Sequence, residues 1–154
     1  MDLIQSFISS KTIVEGIDSQ QEGVYYPDDL IYRNIFPYGY IPSTEGKADA
    51  YLLMFVDIPN INRQNTSFVD MRVTLWVLVH KDRQKMKNKP ATRADYLAEE
   101  LRKLLDGNDN FGCGVLQMIS NREIILDNSY IYRELIFHTT DMKQSSHSKV
   151  GSFK

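Results

Sequence analysis

Apolar and polar positions alternate most regularly over residues 68–80, Phe-Val-Asp-Met-Arg-Val-Thr-Leu-Trp-Val-Leu-Val-His. Val69, Met71, Val73, Leu75, Val77 and Val79 share one side of an extended chain, while Asp70, Arg72 and Thr74 begin the other. Side chains of a strand alternate faces, so this stretch predicts a long strand with one buried face and one wet for at least half its length. The period then changes. Ala94, Leu97, Ala98, Leu101, Leu104 and Leu105 recur at helical spacing and form one apolar stripe. Thr92, with Asp95 three residues on, predicts a capped start in which hydroxyl and carboxylate both serve orphan N–H groups near the positive end of the helix. Gly107 stands where a left-handed C-cap belongs. A strand and a helix with one face each to bury predict a single two-layer α+β domain, a mostly antiparallel sheet packed by one or two helices.

The same patterns place the remaining elements. Leu3, Ile4, Phe7 and Ile8 lie on one helical face. Residues 11–17 fit either a continued helix or a strand, and residues 18–29 read as a loop. Residues 31–42, Ile-Tyr-Arg-Asn-Ile-Phe-Pro-Tyr-Gly-Tyr-Ile-Pro, predict a short element and then an extended arm, because each proline removes a donor and disfavours helix before it. Residues 50–58 predict a buried strand that pairs antiparallel with 68–80 across a polar 60–67 turn. After a turn-rich 107–112 connection, 115–119 and 123–126 predict two short strands across Ser120-Asn121-Arg122, and 130–140 a last strand. Residues 141–154 hold too little apolar surface to order alone and predict a flexible C-terminal tail.

Composition narrows the function more by exclusion. A chain of 154 residues suits one domain. One cysteine, Cys113, leaves no internal disulfide. No apolar run approaches the about 20 residues that span a bilayer, and no basic segment precedes the first apolar residues, so synthesis in the cytosol is expected, with no membrane partner. Net charge is −2, unevenly spread: residues 1–60 hold nine acidic and three basic residues, and 61–154 hold eleven acidic and fifteen basic. If that asymmetry survives folding, acidic and basic sides of neighbouring copies can meet head to tail.

Catalysis needs convergent groups, and none is legible. His80, His138 and His147 share no motif with one another or with Cys113, which sits between two glycines. Asp57, Asp70 and Asp82 lack metal-loop spacing, and no glycine-rich phosphate loop opens a helix. No catalytic, cofactor or metal site is expected. Two other features stand out. Lys81, Arg83, Lys85, Lys87 and Lys89 oppose only Asp82 in an 81–91 basic loop, with Arg93 after it. Such a loop is suited to nucleic-acid phosphates or to acidic protein, although a charge run is ordinarily just solvated. Tyr25, Tyr26, Tyr32, Phe36, Tyr38 and Tyr40 crowd a 20–45 arm. Tyrosine joins apolar area to a polar tip, which suits a subunit interface or a cover for the domain's own sheet.

The order of these elements resembles the tail-terminator and tail-completion proteins of tailed bacteriophages, the head-to-tail connectors of the neck. The resemblance rests on the amphipathic helix at 3–8, the 31–42 motif leading into 51–56, the strand 72–82 ending in a Trp/Val-rich stretch with Lys-Asp, and the Thr-capped helix at 92–105 with its C-terminal strands. It covers residues 1–140; the 60–67 and 81–91 loops are longer than in the simplest members. It implies a non-enzymatic virion protein, made in the host bacterial cytoplasm, in a homo-oligomeric ring of 6 or 12 copies through which DNA passes. Its neighbours would be portal- or adaptor-side and tail-tube-side virion proteins. The basic residues would face the lumen or the next ring, and the aromatic arm would meet the adjacent subunit. The alternatives are a cytosolic adaptor or nucleic-acid-associated binding domain, or a small ligand-binding or enzyme domain with a pocket between helix and sheet.

Overall fold

A computed structural model describes residues 2–40, 42, 47–58, 68–111, 114–125 and 129–142. The helices are α1 (Leu3–Ser9), α2 (Lys11–Ile17) and α3 (Arg93–Leu105). The strands are β1 (Ile35–Phe36), β2 (Ala50–Asp57), β3 (Phe68–His80), β4 (Gln117–Ile125) and β5 (Tyr130–Met142). They form one sheet in the order β1-β2-β3-β5-β4. Every strand pairing among the described residues is antiparallel except β1 on β2, so the expected α+β class holds, with three α-helices among the described residues in place of one or two.

The Thr92 cap and the Gly107 turn of α3 form where they are expected. The Thr92 side chain accepts the Asp95 N–H at 3.1 Å, and Gly107 adopts a left-handed φ of +76°. The Asp95 carboxylate, expected to serve the helix start, instead receives the Arg133 guanidinium of β5 and so ties the helix to the sheet. Burial opposes its ionisation, but the Thr92 and Arg133 side chains outweigh that and hold the carboxyl below the usual aspartate value.

Residues 11–17, open to either reading in the sequence, are helical. Helix α2 lies so close to α3 that a Cβ on Gly16 would meet Leu97 Cδ2 at 2.6 Å. The three helices cover one sheet face. Phe7, Ile13 and Ile17 join Leu97, Leu101 and Leu105 against Leu52, Val73, Leu75, Leu135 and Phe137 in one core that is mostly aliphatic.

Strand β4 corrects the expectation of two short strands. It runs unbroken for nine residues with a bulge between Met118 and Ser120. Ser120, Asn121 and Arg122 look like a turn because they are polar, yet all three pair with β5. An edge strand with one open side tolerates polar residues that a central strand would not. Strand β5 extends to Met142, so the first two residues of the expected tail belong to the sheet. The remainder of that tail, the 60–67 turn and Cys113 lie outside the described residues.

Candidate interaction surfaces

The second sheet face carries no helix among the described residues and is aromatic. Phe36, Tyr51, Leu53, Leu78, Tyr130 and Tyr132 form its buried part, with Phe55, Trp76 and Ile124 partly open beside them. Trp76 sits 4.9 Å from the Phe55 ring and 5.2 Å from the Tyr132 ring, centroid to centroid. At its centre Glu134 is only 7% exposed, and its two oxygens accept Trp76 Nε1–H and Arg122 Nε–H, each at 2.8 Å. A buried carboxylate needs such partners, and here it fixes the indole and orders β4 against β5. Burial, and next the neighbouring Tyr130, push the Tyr51 phenol well above the usual tyrosine range.

The six aromatic residues of the arm divide between both roles their chemistry suits. Phe36 is buried and stacks with Tyr40 at 4.3 Å, and Tyr40 reaches Tyr51 at 5.8 Å, so these two cover the sheet. Tyr25, Tyr26, Tyr32 and Tyr38 point outward, 82%, 73%, 62% and 48% exposed. Their backbone is nevertheless fixed. Asp29 Oδ2 accepts the N–H groups of Tyr25 and Tyr26 at 2.9 and 2.8 Å, and those two bonds hold its carboxyl below the usual aspartate value. A 3-10 turn over Pro27–Leu30 follows. Arg33 Nη1 donates to the Glu22 carbonyl and Gln21 Nε2 to the Arg33 carbonyl, closing the loop on itself. Tyr32 stacks on Tyr38 at 6.3 Å.

The basic loop is also built, not a loose linker. Lys81–Arg83 is a 3-10 turn, and Lys85 bridges to Thr92. The Gln84 carbonyl accepts the Arg93 N–H at 2.7 Å, and Gln84 Nε2 donates to the Val79 carbonyl. Its arginines face inward. Arg83 Nη2 donates to the Asp18 carbonyl and carboxylate, and Arg93 is 5% exposed with Nη1 on the Gly16 carbonyl at 2.6 Å. Burial first, and Arg83 beside it, push the Arg93 guanidinium down from its usual value. Arg93 and Arg83 therefore lock the end of α2. Of the six basic residues expected to face a lumen or a neighbouring ring, Lys81, Lys85, Lys87 and Lys89 remain exposed, Lys89 with its ammonium 3.8 Å above the Tyr96 ring.

The charge asymmetry between the two halves is partly cancelled by folding. Asp18 pairs with Arg83, and Asp57 receives Arg72 through two hydrogen bonds, so acid from the first half meets base from the second inside one molecule. His80 Nδ1 accepts the Asp82 N–H and the imidazole lies edge-on to Tyr130; His138 faces Asp70 at 3.8 Å. Among the described residues no three His, Cys, Asp or Glu stand close enough to hold a metal, and no helix is long and apolar enough to cross a membrane.

Two groups of exposed apolar residues lie at opposite edges of the sheet, while Val56 and Ile58 at the end of β2, Val115 before β4, and Tyr25 and Tyr26 beside α2 are exposed elsewhere. Tyr32 and Tyr38 flank β1 at one edge; Ile119 and Ile125, 62% and 70% exposed, lie on β4 at the other. The isoleucines did not stand out in the sequence, because only the position of β4 in the sheet order shows them to be at an edge.

The sequence model of the YomW family matches residues 6–139, and the chain belongs to that family. The family carries a phage-derived protein name, so the protein is phage-associated. No curated protein matches the chain.

Proposed function

We propose that this protein is a non-catalytic structural component of the phage particle, forming a homo-oligomeric ring of six or twelve copies at the head–tail junction or tail end. The observation that carries the reading is the exposure of apolar side chains at both edges of one sheet. A closed ring is built from heterologous contacts, in which one patch meets a different patch on the next copy. Tyr32 and Tyr38 at one edge and Ile119 and Ile125 at the other supply such a pair. The phage-derived family name supports the setting.

In this reading the protein is made in the host cytoplasm and ends in the virion, between portal- or adaptor-side and tail-tube-side proteins. DNA passes through the lumen without sequence-specific contacts. Gold-labelled antibody against the protein, applied to purified particles of the phage that encodes it, tests the location. Label concentrated at the neck or tail end is the expected result; particles that carry no label contradict the proposal. A second reading, an adaptor that holds nucleic acid, draws on the four exposed lysines of the 81–89 loop. It requires duplex binding by the protein that weakens steeply with salt.

A further inference from the structure

Two preformed loops on this chain are opposite in charge, and each sets its charges beside apolar side chains. The first, residues 22–29, presents Tyr25 and Tyr26 at 82% and 73% exposure beside Pro27, and its exposed carboxylates include Glu22 and Asp28. The second, residues 84–92, forms a shallow groove lined by Met86, Pro90 and Ala91 together with Lys85 and Lys89; Lys87 stands exposed between the two lysines. Asn88 in a left-handed conformation, φ +60°, turns this loop tightly back on itself. Asp29 and Arg33 fix the first loop and Gln84 and Arg93 the second; of the outward groups, Glu22 makes an exposed ion pair with Lys47 at 3.6 Å and Lys89 lies over the Tyr96 ring. Neither loop has to order on contact, which removes an entropic cost of association.

We infer that the acidic, aromatic loop of one copy docks on the lysine-lined groove of a second copy. The tyrosine rings and Pro27 lie over Met86, Pro90 and Ala91, and Asp28 and Glu22 meet Lys85 and Lys87. Phosphate backbones would use the lysines but leave the apolar lining idle, so a protein loop with both features is the better fit than DNA. The inference rests on the ring reading only in taking the partner to be another copy of this chain.

Charge reversal in the full chain tests it. E22K/D28K reverses one loop and K85E/K87E the other; Asp29, Lys89 and the arginines are left alone because they hold the structure. Mass by light scattering is followed over a concentration series, with thermal melting as the check on folding. Each variant alone should fold as the parent does and associate at least about tenfold more weakly, because every contact then sets like charges together. An equimolar mixture should recover association, because the reversed loop of one variant meets the reversed groove of the other. Variants that assemble like the parent, or a mixture that recovers nothing, overturn the contact while leaving the ring standing. So does a K85E/K87E chain that loses only retention on duplex DNA. A parent chain that stays monomeric at every concentration overturns the contact and the ring together.

Discussion

The two faces of the sheet solve different problems with different residues. The helix-covered face is mostly aliphatic and closed: Val73, Leu75, Leu135 and Phe137 have no exposed surface, and α3 meets them with Leu97, Leu101 and Leu105. The outer face is aromatic and partly open, with phenol and indole tips and one buried carboxylate among its rings. Aliphatic packing fills volume and needs no polar partner. Aromatic packing leaves polar tips that must be satisfied, and it stays useful where water or another protein lies beside it. The first face therefore specifies the fold. The second is left uncovered by helices among the described residues, and its partly open rings can take further contacts.

Substitutions separate the two. Phe137→Ala on the closed face should give the largest loss, about 3–5 kcal/mol, read as a lower denaturation midpoint in urea. On the outer face, Glu134→Ala strands the Trp76 N–H and frees Arg122, with an expected loss of about 1–3 kcal/mol. An equal or larger effect there would show that the outer face carries the fold after all. The Asp95–Arg133 link between α3 and the sheet should show in acid. A carboxyl held below its unfolded value stabilises the protein above that value and ceases to do so as pH falls through its folded one. The melting temperatures of the parent and D95N should thus differ at neutral pH and begin to converge only as pH falls below about 4, the ordinary aspartate value; a constant difference would contradict the assignment. The smallest effect on stability is expected at the exposed loop, where Y25S/Y26S should stay within about 0.5 kcal/mol of the parent yet reduce self-association.

The sequence disclosed elements whose pattern is local. The alternation at 68–80 and the stripe and caps of α3 emerge at the expected places, because burial on one side and helix capping leave marks within a few residues. What it hid depends on neighbours distant in the chain. Residues 11–17 are helical because Gly16 lets α2 lie against Leu97 and Tyr96. Polar residues 120–122 belong to a strand because β5 pairs with them at the sheet's edge. The basic loop is ordered because Arg83 and Arg93 reach back 65 and 77 residues to Asp18 and Gly16. The aromatic arm was legible as a feature, but its division into Phe36 and Tyr40 inside and four tyrosines outside follows only from the parallel placement of β1 on β2.

The most direct test of the central claim is the mass and shape of the full-length protein in solution, by light scattering after size exclusion together with negative-stain imaging over a concentration series. The account predicts closed rings with a central hole, at six or twelve times the 17.9 kDa chain mass. A uniform 17.9 kDa particle at every concentration would contradict it.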